Sequence, residues 1–291
     1  MKKNPFSLFD FLGYLFPGAL GLFLIYFISK VESIESITSL YNEVKTIRIP
    51  LSFEDTILMT IVSYVLGHLV AYISSLTVEQ FSIWLYGYPS RFLLHDVEGM
   101  HYWQLSKDEI KPWRRLCKYV WRCVIGLFLL PLTICSLFFA KLFGVKYFFI
   151  KKLDDVLIST IKTKTKELQS YLRITGSSDM DYHRVIYHYE YEQQKTHATK
   201  MDNYVALYGF LRSVTLVFNC FSLYLIYIAI SSFNLDYDID WKFIRLLILS
   251  IIVTYLFFMS FMKFYRRFTL ESFMCLIIDK SYLTDKPIKL M

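Results

Sequence analysis

The chain has 291 residues, of which 55% are hydrophobic and 19% aromatic; mean hydropathy is +0.39 and net charge +7. Ten glycines and seven prolines exclude a disordered or low-complexity chain, and the apolar excess excludes an ordinary soluble domain. Five cysteines without a CxxC pair fit reduced thiols in apolar surroundings rather than a disulfide framework.

A bilayer-crossing helix needs about 20 mainly apolar residues. The first candidate runs from Phe9 to Ile28. Pro17-Gly18 interrupts it and no small-x-small cleavage site follows, so it reads as a first span rather than a removed leader. Ser7 and Asp10 form a capping-box-like start, Pro17 should kink the helix, and Gly13, Pro17 and Gly21 form a flat stripe for close contact. The second candidate, Thr56 to Trp84, is long enough to cross with tilt. Cys123 to Ala140 is apolar but broken at Pro131. Tyr204 to Phe233 and Phe243 to Met262 supply two more spans, joined by an acidic loop.

Loop charge decides how Cys123–Ala140 is placed. With four spans and the amino terminus inside, only Lys30, Lys45, Arg48, Lys242 and Arg245 of the 32 Lys and Arg lie outside. Either five-span arrangement moves many more outside, against the positive-inside rule. The expected fold is therefore an all-α integral membrane protein with four transmembrane helices and a helical cytoplasmic domain. The fifth apolar segment is a re-entrant or interfacial helix. Residues 1–85 hold transmembrane helices 1 and 2 with an acidic outer loop. Residues 86–203 form the cytoplasmic and interfacial domain, including re-entrant segment 123–140. Residues 204–262 are a transmembrane hairpin, and 263–291 a basic cytoplasmic tail. Both termini face the cytoplasm of a bacterial inner membrane.

Polar groups inside the bilayer are the first functional candidates, because each is costly unless partnered. On the second span Thr60, Ser63, Gly67, Ala71 and Ser74 share a narrow arc, beside a line of His68, Tyr72, Ser75 and Glu79. They either pack against the first span or line a gated polar pathway. On the next span Arg212, Thr215, Asn219 and Ser222 share a face. Ser63, Gly67, His68, Ser75, Glu79, Arg212 and Asn219 are thus the candidate pore-lining or gating residues.

In the cytoplasmic part, Trp103, Trp113 and Trp121 with neighbouring arginines look like interfacial anchors. Residues 151–202 read as two helices broken at Thr175–Ser178, with Asp179 or Ser178 as a cap. Lys162, Lys164, Lys166, Arg173, Arg184, Tyr187 and Lys195 are the candidate ligand-binding residues. Aromatics interleaved with cations suit single-stranded nucleic acid, and equally suit anionic headgroups or a packing surface between subunits.

The six histidines and ten glycines form no catalytic signature. None of the histidines sits in HExxH, His188 falls on a different helical face from Glu190 and Glu192, and no Walker A loop, GxGxxG or GxSxG elbow occurs. His95-Asp96, Glu98, Asp108 and Glu109 have no nucleophile beside them. The expectation is no enzyme, no metal and no cofactor.

The run Phe9 to Gly18, with Gly67 to Ser75 and Gly87 to Ser90, resembles a group of bacterial multi-span proteins associated with defence operons. The arrangement is similar to that of the Hailong-type membrane channel effectors. That resemblance implies an oligomeric, membrane-depolarising ion channel in antiphage defence, with lipid and further copies of the chain as partners. It also implies control by an oligonucleotide or nucleotide signal made by a partner protein encoded nearby. The alternative is a non-conducting scaffold or sensor that recruits a soluble partner.

Overall fold

A computed structural model describes residues 10–31, 52–94, 102–103, 112–142, 150–174, 182–193, 195–234 and 241–279. Among these, every regular element is helical. The helices are α1 (Phe16–Val31, entered through a π turn at Phe11–Leu15), α2 (Phe53–Ser74), α3 (Gln80–Tyr86), α4 (Pro89–Leu94), α5 (Pro112–Phe128), α6 (Leu130–Leu142), α7 (Asp155–Tyr171), α8 (Tyr182–Gln193), α9 (Lys195–Asn234) and α10 (Trp241–Ile278). A second π turn, Ser75–Glu79, joins α2 to α3.

Four stretches are long and apolar enough to cross a membrane: Phe11–Ile28, Phe53–Leu94, His197–Ser231 and Phe243–Ile278. Each contains a long, mainly apolar run that the sequence shows. Helix α2 starts cleanly because Ser52 and Asp55 form a reciprocal capping box, with Ser52 Oγ accepting from the Asp55 amide at 3.1 Å. At α1, Pro17 has no amide proton for the Gly13 carbonyl, and the chain takes a π turn over Phe11–Leu15 just before it.

Helices α9 and α10 form the frame. At 40 and 38 residues they are about 60 and 57 Å long, roughly twice the thickness of a hydrocarbon core. Helix α10 therefore does not end near Met262 but continues to Ile278, so the first part of the expected tail is the lower half of this hairpin. Small hydroxyl residues let the two helices approach. Ser222 lies 2.7 Å from Ser250 and 3.4 Å from Thr254, oxygen to oxygen, and every one of these side chains is buried.

Three apolar clusters hang on this frame. Leu24 and Phe27 of α1 meet Val217, Phe221 and Leu225 of α9. Phe81 and Leu85 of α3 meet Ile125, Leu129 and Leu132 around Phe258 and Phe261 of α10. At the far end from the α9–α10 connection, Phe92, Leu93, Ile161, Leu168, Ile186 and Tyr189 close on Phe273 and Leu276. The helical domain of α4, α7 and α8 is thus built directly onto the projecting end of α10.

Helices α5 and α6 together are apolar enough for a span but bend by 90° at Leu129, just before Pro131. Two side chains serve carbonyls at this bend. Asn219 Nδ2 donates to Phe128 O at 2.9 Å, and Thr133 Oγ1 donates to Gly126 O at 3.1 Å.

The first two spans pack backbone to backbone. A Cβ on Gly18 would lie 1.8 Å from Ser63 O, and one on Gly67 would lie 1.8 Å from Tyr14 O. Close approach thus runs through Gly18 and Gly67, whereas Gly21 meets only the Leu66 side chain at 3.4 Å. Gly67→Ala should force α1 off α2 and cost about 1–3 kcal/mol by overpacking. Gly209→Ala, whose Cβ meets nothing within 4 Å, should leave stability unchanged or slightly raised. Thermal unfolding of the two variants in detergent checks the contrast.

Candidate functional site

The π turn at Ser75–Glu79 brings Glu79 to Arg212 of α9. One extra residue in a helical turn rotates everything after it by about 100° relative to an unbroken α-helix. Glu79 therefore leaves the line of His68 and Tyr72, whose Tyr72 ring is exposed, and turns toward α9. There it pairs with Arg212, the two side chains being only 22% and 14% exposed. Hydroxyls around the turn satisfy its displaced carbonyls: Ser75 donates to Tyr72 O at 2.6 Å and Thr77 to Ile73 O at 2.8 Å.

Arg212 is held at two further points. Its Nε donates to Ser74 Oγ at 3.1 Å, and a terminal nitrogen reaches Ala71 O at 3.3 Å. Ser74 in turn donates to Ala71 O at 2.9 Å and lies 3.4 Å from Ser213 Oγ. The guanidinium thus bridges the carboxylate, the hydroxyl and the backbone of the helix facing it. Removing one charge would strand the other between apolar helices, at a cost of about 3–5 kcal/mol.

The remaining sequence candidates take separate positions. Ser63 and Gly67 face α1 in the close seam. His68 stacks on Tyr14 with ring centroids 3.8 Å apart and meets Tyr64 edge-on at 4.6 Å. Ser75 caps its own helix. Asn219 is fully buried at the α5–α6 bend, where its Oδ1 has no hydrogen-bond partner. Only Glu79 and Arg212 of that set touch one another.

The candidate ligand residues also divide. Lys162 and Lys166 are exposed on one face of α7, while Lys164 turns inward and pairs with Glu167 at 3.2 Å. Arg173 is exposed at the end of α7 with φ of 53°, and Arg184 is exposed on α8. Tyr187 packs on Phe268 of α10 at 5.1 Å, so it belongs to the α8–α10 contact. Lys195 opens α9. Trp113 and Trp121 are exposed on α5; Arg122 of that helix lies 5.1 Å over the Trp84 ring, and Tyr102 donates to Arg122 O at 2.6 Å. His95, Asp96, Glu98, Asp108, Glu109, Ser178 and Asp179 lie outside the described residues.

A second polar cluster, at the projecting end of the hairpin, was not anticipated from the sequence. His197 Nδ1 of α9 lies 3.3 Å from Glu271 Oε1 of α10, and Lys200 Nζ lies 2.6 Å from the same oxygen. Cys275 follows Glu271 by one helical turn, and one ligand atom from each of His197, Glu271 and Cys275 falls within 4.8 Å of the others. Glu190 of α8 is fully buried nearby, with neither carboxylate oxygen hydrogen-bonded. The i, i+4 spacing of Glu271 and Cys275 was the available signal; His197 and Glu190 join them only through the tertiary fold.

Comparison of the chain with protein-family models, with curated proteins and with solved structures finds no match.

Burial, with the Asp279 carboxylate adding to it, pushes the Glu190 carboxyl from its ordinary 4.5 up to about 8. An acid whose folded value is raised holds its proton longer folded than unfolded, so stability is highest below the unfolded value. It falls as pH rises from about 4.5 and levels off beyond about 8. Glu190→Gln should flatten this fall, measured by thermal unfolding from pH 5 to pH 9 with a chelator present.

Proposed function

We propose that this chain is the subunit of an oligomeric ion channel in a bacterial inner membrane, held closed by the Glu79–Arg212 pair. The observation that carries the reading is that pair, set on a π turn between two bilayer-length apolar helices. Ionisable residues in such helices are expensive and mark ion pathways, relays or sensors more often than structural contacts. A pair that also grips the facing backbone through Ser74 and Ala71 couples α2 to the hairpin, so its loss would release one against the other.

One chain of four spans encloses little polar volume, so conduction requires several copies about a symmetry axis. The outer face of α2, where Ile57, Ile61, Val65, Leu69 and Tyr72 are exposed, is open to lipid or to neighbouring subunits. In this reading the bent α5–α6 pair is re-entrant, and α5 lies at the interface with its tryptophans in the headgroups. Both termini and the α7–α8 domain face the cytoplasm, consistent with the excess of inner Lys and Arg. Exposed Lys162, Lys166, Arg173 and Arg184 give that domain a cationic surface for an anionic oligonucleotide or nucleotide signal. The resemblance to Hailong-type effectors favours antiphage defence as the setting.

A specific observation favours a second reading, a non-conducting scaffold or sensor. Ser63, Gly67 and His68 are taken up in contacts with α1 rather than facing a pathway. Ion flux separates the two. In liposomes carrying a potassium gradient and a potential-sensitive dye, Glu79→Gln should raise flux about tenfold over wild type, equivalent to about 1.4 kcal/mol of lost closed-state bias. Flux at the level of protein-free liposomes for wild type, Glu79→Gln and Arg212→Gln, each correctly assembled, would leave the scaffold reading in its place.

A further inference from the structure

The cluster at the projecting end of the hairpin holds more acidic groups than its cations explain. Lys200 and His197 both address one oxygen of Glu271. Nothing comparable serves Glu190, whose two carboxylate oxygens are buried without a hydrogen bond, although its charge reaches both the Cys275 thiol and Asp279. A fully buried carboxyl with no partner is costly, and the loss is recovered only by a proton or a cation.

We propose that this cluster is a Zn2+ site in which His197, Glu271 and Cys275 bind the ion, with the buried Glu190 carboxyl beside them as a further acidic group. Imidazole nitrogen, thiolate sulfur and carboxylate oxygen together select zinc over the hard oxygen-seeking cations. Glu271 and Cys275 stand one turn apart on α10 and His197 comes from α9, so three ligands arrive from two helices, with Glu190 of α8 buried nearby. The ligand atoms of the three lie within 4.8 Å of one another. Tetrahedral zinc needs about 3.3–3.8 Å between ligands, a closure of about 1 Å that side-chain rotation supplies.

Binding requires Cys275 as thiolate, so the thiol proton passes to solvent as the metal enters. Lys200, half exposed, gives up its bond to Glu271 and stays beside the site as a counter-charge. The occupied site would tie α9 to α10 at the end of the hairpin, beside the α7–α8 domain and its exposed cations. It does so whether or not the protein conducts.

The test uses the full-length protein in detergent, stripped with a chelator and titrated first with Co2+ and then with Zn2+. The expected result is one Co2+ per chain with a thiolate-to-cobalt charge-transfer band that Zn2+ abolishes. Cys275→Ser should remove the band, Cys117→Ser should keep it, and Glu190→Gln should weaken Zn2+ binding at least about tenfold. A folded wild type without the band, or a band that survives Cys275→Ser, overturns the site. If Cys275→Ser does not fold, His197→Gln decides: loss of the band supports the site, and its persistence overturns it.

Discussion

Two charges between apolar helices cannot be left apart, and the placement of α2, α3 and α9 follows from that constraint. Arg212 enters a stretch of α9 flanked by Leu211, Val214 and Leu216, where water cannot solvate it fully. Its partner Glu79 reaches it only because the helix widens by one residue at Ser75–Glu79. The hydroxyls of Ser74, Ser75 and Thr77 lower the cost of that widening by serving the carbonyls it displaces. An ion pair, a helix irregularity and a row of small hydroxyl residues are one device.

The same rule governs the rest of the apolar interior. Where the chain bends between α5 and α6, Asn219 and Thr133 serve carbonyls at the break. Where α9 and α10 touch, Ser222, Ser250 and Thr254 bond to one another or to the preceding turn. Where α1 meets α2, glycine removes the side chain and backbone packs on backbone. Van der Waals contact and local hydrogen bonds hold such helices together, since lipid offers no hydrophobic drive between them. Glu190 is an exception among the described residues, a buried carboxyl that this rule leaves unserved.

The spans were legible because run length and hydropathy survive any tertiary context, and the break before Pro131 was legible because proline lacks a donor. The far ends of α9 and α10 were not. His197, Lys200, Lys263, Arg266 and Arg267 dilute the apolar signal although the helices continue through them. Glu79 was legible as a polar residue but not in its direction, since a regular 3.6-residue period cannot foresee a π turn. Arg212 and Asn219 were visible as candidates, whereas their partners, Glu79 and the Phe128 carbonyl, lie 133 and 91 residues away. The three lysines of α7 looked like one basic patch in sequence, yet Lys164 falls on the inward side of the helix.

In the proposed channel the Glu79–Arg212 pair locks α2 to the hairpin and so governs ion passage. Charge exchange tests it most directly, by comparing potassium flux in liposomes for Glu79→Arg, Arg212→Glu and the double exchange. Each single variant, in which two like charges face one another, should leak, and the double exchange, which restores the pair but not the Arg212 bonds to Ser74 and Ala71, should return flux most of the way to the wild-type level. Equal flux from all three variants and wild type would contradict it.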